Sequence, residues 1–184
     1  MGTGVDSLSS LVISVFWFFL PAGIANMVPV LFKWLPLFNT PVDFNKKIGE
    51  LPIFGPHKTY RGFFVGIIFA ILTVYLQTAI TPSRSYWLVD YNSANAILLG
   101  FLLGFGALGG DLIKSFFKRR IKVASGRTWV PFDQIDWIVG ALLLSMTVVD
   151  FSLKQALVAI VLFGILHPLI NLLGYFLKIK SNKF

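Results

Sequence analysis

The chain has 184 residues, of which 56% are hydrophobic and 13% charged, with 19 Phe and a formal net charge of +8. That length is one domain or one membrane unit, and so large an apolar share exceeds what a soluble core of this size needs. The absence of cysteine excludes disulfides and thiolate metal sites.

In chain order, five apolar segments are predicted to span a bilayer, at about 8–32, 63–80, 94–110, 135–149 and 155–177. The fold class is therefore an all-α integral membrane bundle forming a single domain, with loops at 33–62 and 111–134. The first span lacks a basic leader and is too long for a cleavable signal peptide. It reads FFLPAGIANMVPVLF, with Pro21 and Pro29 removing helical hydrogen bonds on either side of Asn26. Asn26 is expected either to line a ligand pocket or to bond a neighbouring helix.

All sixteen Lys and Arg fall between or after the spans. Lys33, Lys46, Lys47, Lys58 and Arg61 lie in the first loop. Lys114, Lys118, Arg119, Arg120, Lys122 and Arg127 lie in the third, and Lys178, Lys180 and Lys183 in the tail. Loops two and four carry only Arg84 and Lys154. This asymmetry predicts an outside N-terminus, with both long loops and the C-terminus cytoplasmic. The positive charge is thereby explained by topology and anionic lipid, and nucleic acid is not an expected partner.

The first loop, FNTPVDFNKKIGELPIFGPHKTYRG, has no sustained period. It is expected to form an ordered cap, because Ile48, Leu51, Ile53, Phe54 and Tyr60 can pack. At its end, GPHKTYRG offers Lys58 and Arg61 as phosphate clamps, or as simple positive-inside anchors. His57 is read as a hydrogen-bonded loop residue.

Span three is predicted to continue past the membrane surface as an amphipathic helix. Asp111, Lys114, Ser115, Lys118 and Lys122 follow a 3–4 spacing and so share a face, with Leu112, Ile113, Phe116 and Phe117 on the other sides. Gly100–Gly104 and Gly106–Gly110 are small-xxx-small pairs that can pack within one chain or join a homo-oligomer. Gly126 and Pro131 are then expected to break the chain.

The fourth span is short. Its run from Trp137 to Val149 makes roughly 20 Å of helix against a hydrocarbon core of about 30 Å. Asp133 and Asp136, i and i+3 in VPFDQIDW, therefore share one face at the membrane surface. An ionised aspartate at a span's centre costs about 2.5–3.5 kcal/mol and, near the surface, still calls for a partner or a wet cavity. Acids of a helix first turn gain about 0.3–1 kcal/mol from the macrodipole, but two on one face also suit a hard cation such as Mg²⁺. With Asp111 as third carboxylate, and Lys114 and Lys118 as bases, the set reads as a metal–phosphate site. His167-Pro168 and Asn171 in span five form a weaker polar break. No GxxxxGK[ST], HExxH or GxSxG motif occurs, which favours direct transfer between phosphates over covalent catalysis.

Ser115-x-x-Lys118-Arg119, followed by Pro131 and Asp133-Gln-Ile-Asp136, resembles the signature of the CTP-dependent phosphatidate cytidylyltransferases (CDP-diacylglycerol synthases). That signature carries Arg where Gln134 stands, a Lys-Asp pair where Ala124-Ser125 stands, and a Gly-His-Gly-Gly segment missing here. These departures leave the parts of Lys122 and Arg127 open. The shortened motifs, the five spans, LPAGIANMVPVL and GPHKTYRG are similar to the archaeal branch, the CDP-archaeol synthases. The resemblance implies transfer of CMP from CTP to 2,3-bis-O-geranylgeranylglyceryl phosphate, giving a CDP-lipid and pyrophosphate, with Mg²⁺ as cofactor. It also implies a metal held by Asp111, Asp133 and Asp136, and phosphates neutralised by Lys114, Lys118, Arg119, Lys58 and Arg61. The rival expectations are a CTP-dependent polyprenol kinase, releasing CDP, and a non-enzymatic transporter or channel subunit for an anionic solute.

Overall fold

The computed structural model describes residues 7–124 and 127–177. The predicted break at Gly126, the substituted Ser125 and the tail lysines Lys178, Lys180 and Lys183 lie outside these residues. Five helices follow in order: α1 (Leu8–Leu31), α2 (Tyr60–Ile80), α3 (Ala96–Arg120), α4 (Phe132–Ser145) and α5 (Leu153–Phe176). Four of them, all except α4, are long and apolar enough to cross a membrane.

Local chemistry sets most helix starts. Ser7, Thr59, Asn95 and Ser152 each accept a backbone N–H of the first turn through the side chain, which satisfies donors that helical bonding leaves open. Ser152 and Gln155 complete a reciprocal capping box. The Thr59 cap starts α2 at Tyr60, ahead of the apolar run that begins at Phe63. In α1, Pro21 and Pro29 cost backbone bonds, yet the helix is continuous.

The bundle is packed through glycine. A Cβ on Gly100 would collide with the α2 backbone at Ile71, and one on Gly106 with the α4 backbone at Gly140 and Ala141. A Cβ on Gly110 would stand on the Asp136 carbonyl oxygen. The small-residue pairs of α3 thus join α2 on one side and α4 on the other, inside one chain. Around this seam lies the core of Leu11, Val15, Phe18, Phe19, Leu103, Trp137, Ile138 and Phe163. The Trp137 and Phe163 rings meet edge to face at 5.2 Å.

The first loop forms a cap rather than a linker. Within it β1 (Lys47–Ile48) pairs antiparallel with β2 (Leu51–Pro52) around Gly49, whose φ of 63° suits glycine. These two short strands are the departure from an all-helical chain among the described residues. Arg120, in the last turn of α3, donates to the carbonyls of Ile48, Leu51 and Pro52 and lies over the Phe116 ring. The expectation that Lys122 shares the face of Asp111 is corrected: α3 ends at Arg120, and Lys122 is left-handed at φ 62° beyond the helix.

Candidate active site

At the end of the bundle that carries the cap, α3 and α4 bring their charged faces together. The close approach at Gly106, Gly110 and Gly140 puts the first turns of α4 beside residues 111–118 of α3. Lys114 becomes the hub. Its Nζ lies 3.1 Å from Asp111 Oδ1, 2.8 Å from Asp133 Oδ1 and 3.0 Å from Asp136 Oδ2. Lys118 Nζ sits 2.8 Å from Asp133 Oδ2, and Lys58, from the cap, pairs with Asp111. Three carboxylates therefore face three ammonium groups.

Burial makes this cluster electrostatically potent. Lys118 and Arg119 are each 7% exposed, and the Asp136 side chain 5%. Charges held out of water interact more strongly and demand partners. Burial raises the tendency of Asp133 to protonate. Hydrogen bonds from Lys114 and Lys118, the Lys114 charge and the Trp129 backbone N–H outweigh it, and hold the carboxyl below the ordinary range.

A cavity of about 260 Å³ opens beside the cluster. Asp111, Lys114, Ser115, Lys118 and Arg119 of α3 line it with Asp133 and Asp136 of α4, Asn26 of α1 and Lys58 of the cap. Nine of the ten residues picked from sequence as a site thus share one space. Arg119 also braces its own helix end, donating to the Val123 carbonyl at 2.6 Å. The tenth, Arg61, faces elsewhere. Its Nη1 donates to the carbonyls of Lys33 and Leu35, tying the end of α1 to α2, and it lines a second cavity of about 560 Å³. Asn26, His57, Lys58 and Asp111 line both cavities, so these residues form the partition between them.

Thr128, which escaped the sequence reading, and Gln134, noted there only as a departure from the signature, also line the first cavity, as do Arg127, His167 and Asn171, left open or weak there. Gln134 could have been found: with Asp133 it stands in the first turn of the same helix. His57, read as a loop residue, is part of the cavity wall.

The acids are arranged for a shared cation. Among the described residues no group of three His, Asp or Glu side chains is already set for a metal, and the Lys114 ammonium stands between the carboxylates. That one cationic nitrogen lies within 3.1 Å of all three shows that the set converges on a single positive centre. Asp136 Oδ2 is buried, with the Lys114 ammonium at 3.0 Å as its close partner. An all-oxygen set of this kind fits a hard divalent ion.

The sequence model of the CarS-like CDP-archaeol synthases matches residues 8–184. The CDP-archaeol synthase of Thermococcus onnurineus is 37% identical over 178 residues, covering 95% of this chain and 98% of that protein. The corresponding protein of Pyrococcus abyssi is 35% identical over 172 residues, covering 92% and 96%. That of Methanococcus maripaludis is 36% identical over 177 residues, covering 93% and 96%. A solved structure of an intramembrane enzyme for archaeal membrane lipid biosynthesis superposes with a TM-score of 0.72 at 26% identity, covering 88% of this chain and 94% of that one.

Proposed function

The chain belongs to the CDP-archaeol synthase family, and we propose that its reaction takes place in the cavity between Asp111, Asp133, Asp136 and the cap. It is a membrane cytidylyltransferase of archaeal lipid biosynthesis. The observation that carries the site is the convergence of three acids and three lysines from α3, α4 and the cap on one buried space.

The substrates in this reading are CTP and an isoprenoid glycerol-ether phosphate such as 2,3-bis-O-geranylgeranylglyceryl phosphate. A phosphate oxygen of the lipid attacks the α-phosphorus of CTP. One P–O bond forms, the bond to the β-phosphate breaks, and pyrophosphate leaves with the electron pair. No covalent enzyme intermediate is needed, so positioning and charge stabilisation supply the rate. Lys114, Lys118 and Lys58 exchange carboxylate partners for phosphate oxygens, and Arg119 adds a fixed positive charge at the cavity wall. Asp111, Asp133 and Asp136 would hold Mg²⁺, which supplies charge neutralisation on the triphosphate and the leaving pyrophosphate.

Ser115 and Asn26 are two of the neutral polar groups of the cavity and orient bound oxygens. Arg61 and Lys33 line the second cavity, and their charge suits the phosphate of a lipid entering from the bilayer between α1 and α2. The charge asymmetry of the loops supports a cytoplasmic location for this end of the bundle, where CTP is found.

The test is incubation of detergent-purified protein with Mg²⁺, labelled CTP and 2,3-bis-O-geranylgeranylglyceryl phosphate, following pyrophosphate and labelled lipid. CDP-lipid and pyrophosphate in equal amounts, lost in Asp133→Asn, is the expected result. Release of CDP with a newly phosphorylated lipid would make the protein a kinase. Neither product from folded protein would return it to transport of an anionic solute.

A further inference from the structure

Asp43 takes no part in the site described above, yet it is a buried carboxylate, 5% exposed. Its Oδ1 accepts the Asn45 backbone N–H at 3.0 Å, and its Oδ2 accepts those of Phe54 at 2.9 Å and Gly55 at 3.2 Å. The residues just after it are held in costly conformations: Phe44 and Asn45 are both left-handed, at φ 51° and 60°. Non-glycine residues persist there only where their surroundings over-determine the backbone.

The bonds of Asp43 lead to the site. Phe54 and Gly55 open the turn that delivers His57 and Lys58, and Gly55 O accepts the Lys58 N–H at 3.3 Å. The strand-like pairing of Val42 N–H with Lys58 O at 2.7 Å, and of Tyr60 N–H with Thr40 O at 3.1 Å, fixes the other side of the same turn. From there Lys58 reaches Asp111 on α3. Lys58 itself has a long, flexible stem, so its backbone must be held elsewhere.

We propose that Asp43 is a positioning residue for the transfer reaction: by binding the Phe54 and Gly55 amides it fixes the turn that sets Lys58 against Asp111 and holds the partition between the two cavities. This rests on the cytidylyl-transfer reading. Arg120 secures the opposite end of the cap through the β1–β2 carbonyls, and the Asp43 side chain holds the start of the turn that carries Lys58.

The experiment is a double-mutant cycle of Asp43→Ala and Lys58→Ala in the CTP-to-lipid assay, with kcat and KM for CTP measured separately and Asp43→Asn as the conservative variant. Asp43→Ala is expected to lose about 10- to 100-fold in kcat/KM, the scale of a misplacement near 1 Å. Asp43→Asn is expected to lose less, up to about 10-fold, because its amide oxygen still accepts from Phe54 and Gly55 while the Asn45 N–H loses its acceptor. On a Lys58→Ala background the Asp43 substitutions should add little, since linked residues are non-additive. Wild-type kcat/KM in Asp43→Ala, or losses that multiply in the double variant, would overturn the proposal. If the alanine variant does not fold, Asp43→Asn carries the cycle, with a loss of up to about 10-fold that vanishes on the Lys58→Ala background. A loss of the same size on both backgrounds overturns the proposal. A readout independent of turnover separates this inference from the assigned activity. Tryptic cleavage after Lys58 should quicken in the folded Asp43 variant whether or not the wild type makes CDP-lipid, and unchanged cleavage would sink the positioning role.

Discussion

The two ends of the bundle both carry cavities and carboxylates, and they differ in what faces the acids. At the end opposite the cap, a cavity of about 440 Å³ is lined by Leu88, Val89, Asp90, Ser93, Asn95, Val149 and Asp150 among others, with no lysine or arginine among the described residues. Asp90 there accepts the Asn92 N–H at 3.1 Å and the Ser93 hydroxyl at 2.9 Å, closing its own turn. At the cap end the acids reach across helices and the cap to ammonium groups 15 to 53 positions away in sequence. Concavity with acids alone can be a structural feature of a loop. Oppositely charged groups drawn from separate elements into a buried space cost desolvation, which makes that space the functional candidate.

The sharpest way to break the comparison is Asp133→Asn against Asp150→Asn. The first is expected to cut kcat/KM at least about 100-fold, the scale of losing a group that stabilises transferring charge. The second should leave kcat/KM at the wild-type value in the same assay. Equal effects at both ends would remove the basis for placing the chemistry at the cap end.

Packing at the seam comes next. Gly110→Val puts side-chain atoms onto the Asp136 carbonyl and should destabilise by about 1–3 kcal/mol, as overpacking does, read as a lower unfolding temperature in detergent. Because the seam also sets the spacing of Asp111 and Asp136, activity should fall below the level explained by the folded fraction. Gly109→Ala, where a Cβ meets nothing within 4 Å, is the matched control and should melt as the wild type does.

A smaller effect distinguishes the cap from the bundle. Burial disfavours the charge of Asp43, but the N–H groups of Phe54, Gly55 and Asn45 outweigh it and hold its carboxyl below the ordinary value. A folded-state pKa below the unfolded one gives stability that is present above the unfolded value of about 3.9 and lost as pH falls through the folded value. Pepsin should therefore begin to cut within 39–59 as pH drops below about 4, while helices α1 and α5 remain protected. Simultaneous cleavage of cap and helices would show that the cap has no separate acid response.

Much of this protein is legible in its sequence because membrane insertion is a local requirement. A span must carry enough apolar residues to cross the hydrocarbon and must bond its own backbone, so the positions of the spans are written in consecutive residues. The acids at 111, 133 and 136 stood out for the same reason: charged groups beside short apolar runs are conspicuous. Sharing of one face by Asp111, Lys114, Ser115 and Lys118 follows from helical periodicity alone. The sequence by itself determined, then, the membrane class, the order of the spans and the charged faces of α3 and α4.

Only the tertiary structure decided which charges meet. Lys58 and Arg61 stand in one motif, GPHKTYRG, with equal claims on a phosphate, but Lys58 turns to Asp111 and Arg61 to the carbonyls of Lys33 and Leu35. Arg119 and Arg120 are adjacent in α3, and one lines the cavity while the other holds the cap. Lys122 fits the helical spacing but falls past the helix end. Asp43 had no period or motif to mark it, because its partners are backbone N–H groups that every residue except proline carries. These roles depend on where a distant segment presents a carbonyl, an amide or a carboxylate. That information is set by how α3 packs on α4 and how the cap closes, and no local stretch of sequence contains it.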